Sequence, residues 1–371
     1  VNPLSGLQSY TKSSSGIIPH AKVQLESVPT HKFDPTRMLY TTGAVTQRNY
    51  IQKKAGQKAS FHHVFGALVV EVDDDGDWFV RQLIADSDSG EFYDLNLKYT
   101  PYGIEDVDQV EAINWGDVHV EKLDPDAAGA SMFNEDSMLN TLKPKHQLIH
   151  DVLDFEARNH HNRNDPYFRF QQHVRGKDSV RDNVRSVASF LQSIKREFSE
   201  IVVVESNHDL ALKRWLKEAD YKTDPENAIF FLENQLKIYQ EIEKGNDKFS
   251  VFGHAVSQEM SHPTKVTFLG TDESFKICDF DGNGIECGQH GHNGNNGARG
   301  SVRAFQVRGA RHNVGHCHSA TIIDGVYYAG VLARLDMGYN LGGSNWSHSN
   351  IVTYPNGKRT IVTIVNGKWR A

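Results

Sequence analysis

From about residue 111 onward, short apolar stretches with strand character run straight into side chains that bind protons or metals, and helical segments lie between them. This coupling restricts the fold more than any other feature of the chain. Ala112-Ile113-Asn114-Trp115 leads into Gly116-Asp117-Val118-His119, Gln147-Leu148-Ile149 leads to Asp151-Val152-Leu153-Asp154, and Ile201-Val202-Val203-Val204 delivers Ser206-Asn207-His208-Asp209. Between Lys177 and Glu200, the residues Val180, Val184, Val187, Leu191, Ile194 and Phe198 recur at helical spacing. An amphipathic helix followed directly by an apolar strand predicts helices packed on a sheet, with functional groups gathered at the strand ends.

The remaining chain is consistent with an α/β (α+β) class. Thr223-Asp224-Pro225-Glu226 predicts a helix start with Asp as cap and Pro in the first turn. Phe230, Phe231, Leu236, Tyr239 and Ile242 suit the helix it opens, which stops at Gly245. Val266–Leu269 reads as a strand, and residues 281–300 as a long Gly- and Asn-rich irregular loop holding Gly288-Gln289-His290-Gly291-His292. Phe65–Val72 with Trp78–Ile84, and Ile351–Tyr354 with Thr360–Val365, read as hairpins. Residues 1 to about 40 read as a loop-rich arm or as part of a domain begun upstream. The chain therefore divides into a β-rich accessory region, 1–110, and an α/β region, 111–371, that carries the candidate site residues.

Composition narrows the chemistry. Three cysteines are too few and too irregularly spaced for a four-thiolate zinc site or a fully paired disulfide framework, which suggests a reducing compartment. A net charge of −7 argues weakly against a nucleic-acid partner, unless bound cations reverse the local field. No run of about 18 apolar residues is present, so no membrane partner is expected. The 19 histidines are the unusual count, and their placement matters. Gly315-His316-Cys317-His318 and His290 join the three Asp-, Asn- and His-bearing strand ends. Any one of these segments alone reads as a solvated strand end or a turn. Their joint occurrence, in order and with helices between, points to a metal centre of carboxylate, imidazole and amide donors, suited to Mn, Fe or Zn. Asp-x-His and His-x-His on extended backbone place both side chains on one face.

This ordered series resembles the calcineurin-like metallophosphoesterases, whose motifs run Asp-x-His, Gly-Asp-x-x-Asp, Gly-Asn-His-Asp, a lone His, and Gly-His-x-His. The resemblance covers roughly residues 111–345. It implies a two-sheet sandwich flanked by helices and two divalent ions, Mn²⁺ first, with Fe²⁺, Zn²⁺ or Mg²⁺ as alternatives. Asp117, His119 and His318 would hold one ion, Asp151 would bridge, and Asn207, His290 and His316 would hold the second. His208 would face the phosphate as a catalytic residue, with Asp209 pairing with or orienting it. The chain departs from the pattern at His150 and Ser206, each in place of Gly. Asp154, His160 or His161 compete for roles near the second motif, and His254 or His292 compete with His290.

Cations flank the motifs: the stretch Gln47 to Lys58 followed by Phe61-His62-His63, then Arg158 and Arg163, then Arg299, Arg303, Arg308 and Arg311. Arg158, His160 and Arg299 are the expected substrate contacts. The segments around residues 151–162 and 290–300 also look like those of tailed-phage DNA-transfer proteins, which implies a manganese-dependent DNase working on DNA in the host cytoplasm. A phosphomonoesterase, or a protein or nucleotide phosphatase of the same fold, is the alternative enzyme. A non-catalytic, metal-stabilised binding module is the alternative class. Residues 1–110 are expected to supply either a homo-oligomer contact or a clamp on DNA.

Overall fold

The computed structural model describes residues 2–371 apart from 33, 160, 161 and 281. Two mixed sheets lie face to face. In spatial order the six-stranded sheet runs Val266–Leu269, Glu200–Val204, His146–His150, Ala112–Asn114, Ser349–Thr353, Arg359–Thr363. The first four strands are parallel, and the last two form the expected C-terminal hairpin, added antiparallel to Ala112–Asn114. Parallel neighbours need a long crossover. Val180–Ser193 is the helix of one of them, started by Ser179, whose hydroxyl accepts the Asp182 amide, and it buries Val180, Val184, Val187 and Leu191 as their spacing predicts.

Side-chain alternation along these strands separates two cores. Ile113, Ile149, Ile201 and Val203 face the helices. Their neighbours Ala112, Leu148, Val202 and Val204 pack instead on Ile277 and Ile285 of the second sheet. That sheet has eight strands in the order Gly16–Ile18, Arg37–Thr41, Leu25–Val28, Thr321–Ile323, Val326–Tyr328, Arg311–Val314, Ile285–Glu286, Lys276–Ile277. The result is the expected mixed sandwich flanked by helices.

Two expectations change. Residues 16–41 are no loose arm: they supply three strands of the second sheet, with Thr321 paired to Glu26, and they bury Leu25, Met38, Leu39 and Tyr40. These strands are three to five residues long. A run that short shows little period, and the Ser- and Pro-rich flanks hide it. The helix Ala228–Glu243 starts three residues after the expected Pro225, behind a 3-10 turn at Pro225–Asn227, and ends before Gly245; Asp224 does not cap it, because its carboxylate is held by Arg158. Only Phe230 and Phe231 of its expected apolar contacts are buried, whereas Leu236, Tyr239 and Ile242 are exposed.

Candidate metal centre

The parallel pairing of Ala112–Asn114 with His146–His150 does not stop where the strands end. The amides of Val118, His119 and Val120 donate in turn to the carbonyls of His150, Asp151 and Val152, at 3.0, 2.7 and 3.1 Å. This ladder carries the first two motifs forward side by side. Gly315 donates to the His290 carbonyl at 2.8 Å, and the His316 amide donates to Asp117 Oδ2 at 2.7 Å, so the last two motifs are tied to the first. A Cβ at Gly315 would stand 2.2 Å from Asp117 Oδ1, which makes glycine necessary at that approach.

The backbone that aims the donors differs from the extended geometry expected of Asp-x-His and His-x-His. His119, Asp151, His316 and His318 have φ of 44°, 44°, 74° and 57°, all in the left-handed region. Each such conformation is strained for a non-glycine residue by roughly 1–3 kcal/mol. Convergence therefore comes from sharp turns beyond the strand ends, held by the ladder.

Three sets of ligand atoms result: one gathers His119 and His208 around Asp154, and the other two share Asp151. Asp117, His119, Asp151 and His318 form one group, and Asp151, His290 and His316 another, with the ligand atoms of each set within 4.8 Å of one another. Asp151 belongs to both. His318 Nε2 lies 3.1 Å from Asp117 Oδ2 and 3.2 Å from His119 Nε2, and His290 Nε2 lies 3.2 Å from Asp151 Oδ2. Separations of about 3.3 Å are what ligands near 2.1 Å from a shared ion require. Asn207 Oδ1, Asp117 Oδ1, Asp151 Oδ1 and His318 Nδ1 are buried without a hydrogen-bond partner. Polar atoms left so are costly unless something polar meets them. The donors therefore fit divalent cations, and the grouping coincides with the sets expected for two ions sharing Asp151. Asn207, the expected amide donor, stands in the turn before the helix Asp209–Glu218.

Charge balance agrees. Burial and the charge of His290 act in opposite senses on Asp151 and Asp117, and both carboxyls end below their usual range. Burial works against charging His119, but its hydrogen bond with Asp154 and the nearby Asp151 raise it to about 9. Burial and the neighbouring His290 push His316 down to about 4. The acids thus favour the charged forms of His119 and His290, while burial keeps His316 neutral.

His208 and Asp209 separate, contrary to the expected pairing. His208 Nδ1 lies 3.2 Å from the Asp154 carbonyl and 3.6 Å from Asp154 Oδ1. Asp154 also meets His119 Nδ1 at 3.1 Å and Lys122 Nζ at 3.1 Å. Asp154 is thus the carboxylate that faces His208. It does not bridge the two ligand sets. Asp209 instead accepts from the Leu153 amide and from the Ser206 amide and hydroxyl, which stitches two motif loops together. Burial and the charge of Asp151 raise it to about 7. Ser206 is the reason a serine serves where glycine was expected: its hydroxyl makes that contact. His150 is fully buried with neither ring nitrogen partnered, and burial lowers it to about 4, so it packs there neutral.

Arg158 is a correction. It is 3% exposed, with its guanidinium committed to Asp224 at 2.6 and 2.7 Å and to Asp178 at 2.5 Å. It cannot reach substrate. Arg163 pairs with Glu218. Arg299 is exposed at the end of the loop that bridges back to Asn293, and its charge reaches Cys317 in the last motif. His160 and His161 lie outside the described residues. His254 sits on the helix Val251–Glu259 against Phe249, away from the ligand sets. The His292 ring is 5.5 Å from that of His290, but it belongs to none of the sets.

Three groups at this site escaped sequence reasoning. Glu121 accepts the amides of Asp154 and Phe155. Lys122 pairs with Asp154 and lies over Tyr339. The Trp346 ring meets His318 edge-on at 4.4 Å. Trp346 and Tyr339 arrive from a region with no motif, so only the fold reveals them. The short distance of Glu121 and Lys122 from Asp-x-His was the available signal for those two.

No protein-family model matches the chain, and no solved structure matches it. It is similar to Protein A1 of Escherichia phage T5, at 47% identity over 356 residues, covering 95% of this chain and 63% of that protein. The chain thus spans less than two thirds of that relative's length. Among the described residues, no helix is long and apolar enough to cross a membrane.

Proposed function

We propose that the chain hydrolyses phosphodiester bonds of DNA with two divalent ions, in the manner of the metallophosphoesterases its motifs resemble. The observation that carries this reading is the pair of buried ligand sets sharing Asp151, with His208 beside them. The similarity to a phage protein supports a role in an infected cell, and so the host cytoplasm as the place of action.

Asp117, His119 and His318 would hold one ion, Asn207, His290 and His316 the other, with Asp151 between. Bound there, the ions, Mn²⁺ by preference, supply Lewis acidity and charge neutralisation for an in-line displacement at phosphorus. The protein contributes the rest. Asp154 faces His208 Nδ1, which leaves Nε2 as the nitrogen able to donate a proton to the leaving oxygen or to steady charge on the phosphoryl group. Asp209 keeps the two loops that carry Asp151 and Asn207 in register through its three accepted hydrogen bonds. Arg299, which is exposed, would be the cation to meet a flanking phosphate.

The test is cleavage of linear and closed circular DNA by the purified chain with Mn²⁺. Fragments should appear, and His208→Ala or Asp117→Ala should abolish them. Cutting of closed circles identifies an endonuclease. Hydrolysis of nitrophenyl phosphate with no cleavage of any nucleic acid would replace this reading with a phosphomonoesterase. Inertness toward all phosphoesters and metals would leave a metal-stabilised binding module.

A further inference from the structure

A second concave site lies at the opposite end of the strand that leads to His316. Arg311–Val314 carries Gly315 and His316 at its C-terminal end, and at its start Arg311 lines a cavity of about 580 Å³. Four strand residues at about 3.3 Å each put the two sites on the order of 13 Å apart or more. Residues from three distant stretches meet there: Lys22, then Arg48 and Phe61 to Phe65, then Arg311, Asp324, Lys358 and Arg359.

The cavity is basic although the chain is acidic overall. Five cations line it against one carboxylate, Asp324. Lys22 is neutralised by Asp324 at 2.6 Å. Arg48, Arg311, Lys358 and Arg359 form no ion pair among the described residues, and Arg311 donates to the Asn283 carbonyl. Arg359 is held by neutral acceptors, the carbonyls of His312 and Gly325 and the Asn313 side chain. Arg48 touches the His63 carbonyl at 3.4 Å and lies over the Phe65 ring. His63 is 4% exposed, and its Nε2 is buried without a partner. Several cations without a counter-carboxylate in one concavity call for an anion with several acceptors. At the rim, Phe61 is 85% exposed and stands edge-on to His62 at 5.0 Å, a flat apolar surface on which a base can stack.

We propose that this cavity binds a nucleotide, its phosphate received by Arg48, Arg311 and Lys358 and its base laid on Phe61. The site is independent of the chemistry proposed at the metal centre. It gives the basic stretch around Arg48 a place in the molecule: the stretch folds back onto the second sheet and closes one side of the cavity.

Calorimetric titration of the full chain in EDTA with dAMP, inorganic phosphate, deoxyadenosine and a short single-stranded oligonucleotide tests it. dAMP should bind saturably to the wild type and to Asp117→Asn alike. Lys358→Glu and the exposed-loop variant Arg48→Ala should each weaken it by about tenfold or more. Deoxyadenosine and inorganic phosphate should both bind more weakly than dAMP. Tighter binding of the oligonucleotide through the same two cations would assign the nucleotide to a DNA strand; tighter binding of dAMP would assign it to free nucleotide. The proposal is overturned if no probe binds into the millimolar range, if phosphate binds as well as dAMP, if neither cation matters, or if Asp117→Asn removes binding.

Discussion

The crest around Asp117, Asp151 and His290 and the junction around Arg158, Asp178 and Asp224 both bury charge, and they resolve it in opposite ways. At the junction every charge meets its counterpart. Arg158 spans Asp224 and Asp178, and Asn227 donates to Asp224 and to the Asp178 carbonyl. At the crest, carboxylate, amide and imidazole atoms converge and several have no partner. Buried charge that carries its own counterion is a structural tie. Buried acceptors that converge on a point and lack one form a receptor for a cation. The contrast explains why Arg158, a plausible phosphate contact on sequence, serves the fold, while its neighbours Asp151 and Asp154 serve the site.

The sharpest way to break this comparison is Asp151→Asn. Activity should fall by about a thousandfold or more, since both ligand sets that share it lose a member. Apo stability should fall somewhat, because the Asp151 carboxyl sits below its usual range and its ionised form, favoured by His290, contributes to the fold. Wild-type protein should gain about 2.7 kcal/mol at Mn²⁺ one hundred times its Kd, and the variant should gain much less. An equal thermal shift with Mn²⁺ in both proteins would show that the crest is not the metal receptor.

Arg158→Ala tests the other region. Leaving Asp224 and Asp178 without their cation should cost about 3–5 kcal/mol in urea unfolding, and the loss should be the same with and without Mn²⁺. A loss of activity in folded protein, without loss of stability, would return Arg158 to the site. Gly315→Ala should be milder. A methyl group 2.2 Å from Asp117 Oδ1 must displace that carboxylate. Mn²⁺ affinity should drop by about 10–100-fold, as when the support of a ligand is removed, with the junction untouched.

How much of this was readable in the chain follows from the same contrast. Parallel strands and their crossover helix write themselves as apolar runs and a 3.6-residue period, so Ile201–Val204 was legible to within a residue and the helix Val180–Ser193 in its start and buried face; its end was not, since Phe198 keeps the spacing five residues beyond Ser193. The donors were legible because metal chemistry demands particular residue types at strand ends. The left-handed turns at His119 and Asp151 were not, since no local signal marks them; the Val118–Val120 ladder holds them. The partner of His208 could not be read either. Asp209 is adjacent in sequence and Asp154 is 54 residues away, and only the register between two loops decides which of them faces the ring. Residues 16–41 were missed because three strands of three to five residues acquire their period only when Thr321–Ile323 pairs with them.

The smallest expected effect concerns acid. At the junction, burial raises the Asp224 carboxyl while the hydrogen bond and charge of Arg158 lower it, and the net direction is down. A carboxyl whose folded pKa lies below its unfolded value of about 3.9 stabilises the fold fully above that value, and this stabilisation fades as pH falls through the folded value. Asp224→Asn removes the charge and keeps one acceptor. The gap in melting temperature between wild type and Asp224→Asn should therefore be constant from pH 8 to about pH 5 and shrink below about pH 4. Metal-dependent stabilisation at the crest should fade in a different window, because its histidines must shed protons to bind a cation, so it weakens as pH falls toward the imidazole range. Melting curves of both proteins, with and without Mn²⁺, separate the two. If the Asp224→Asn gap closed at the pH where the Mn²⁺ shift disappears, junction and crest would be one electrostatic unit, and the division between tie and receptor would fail.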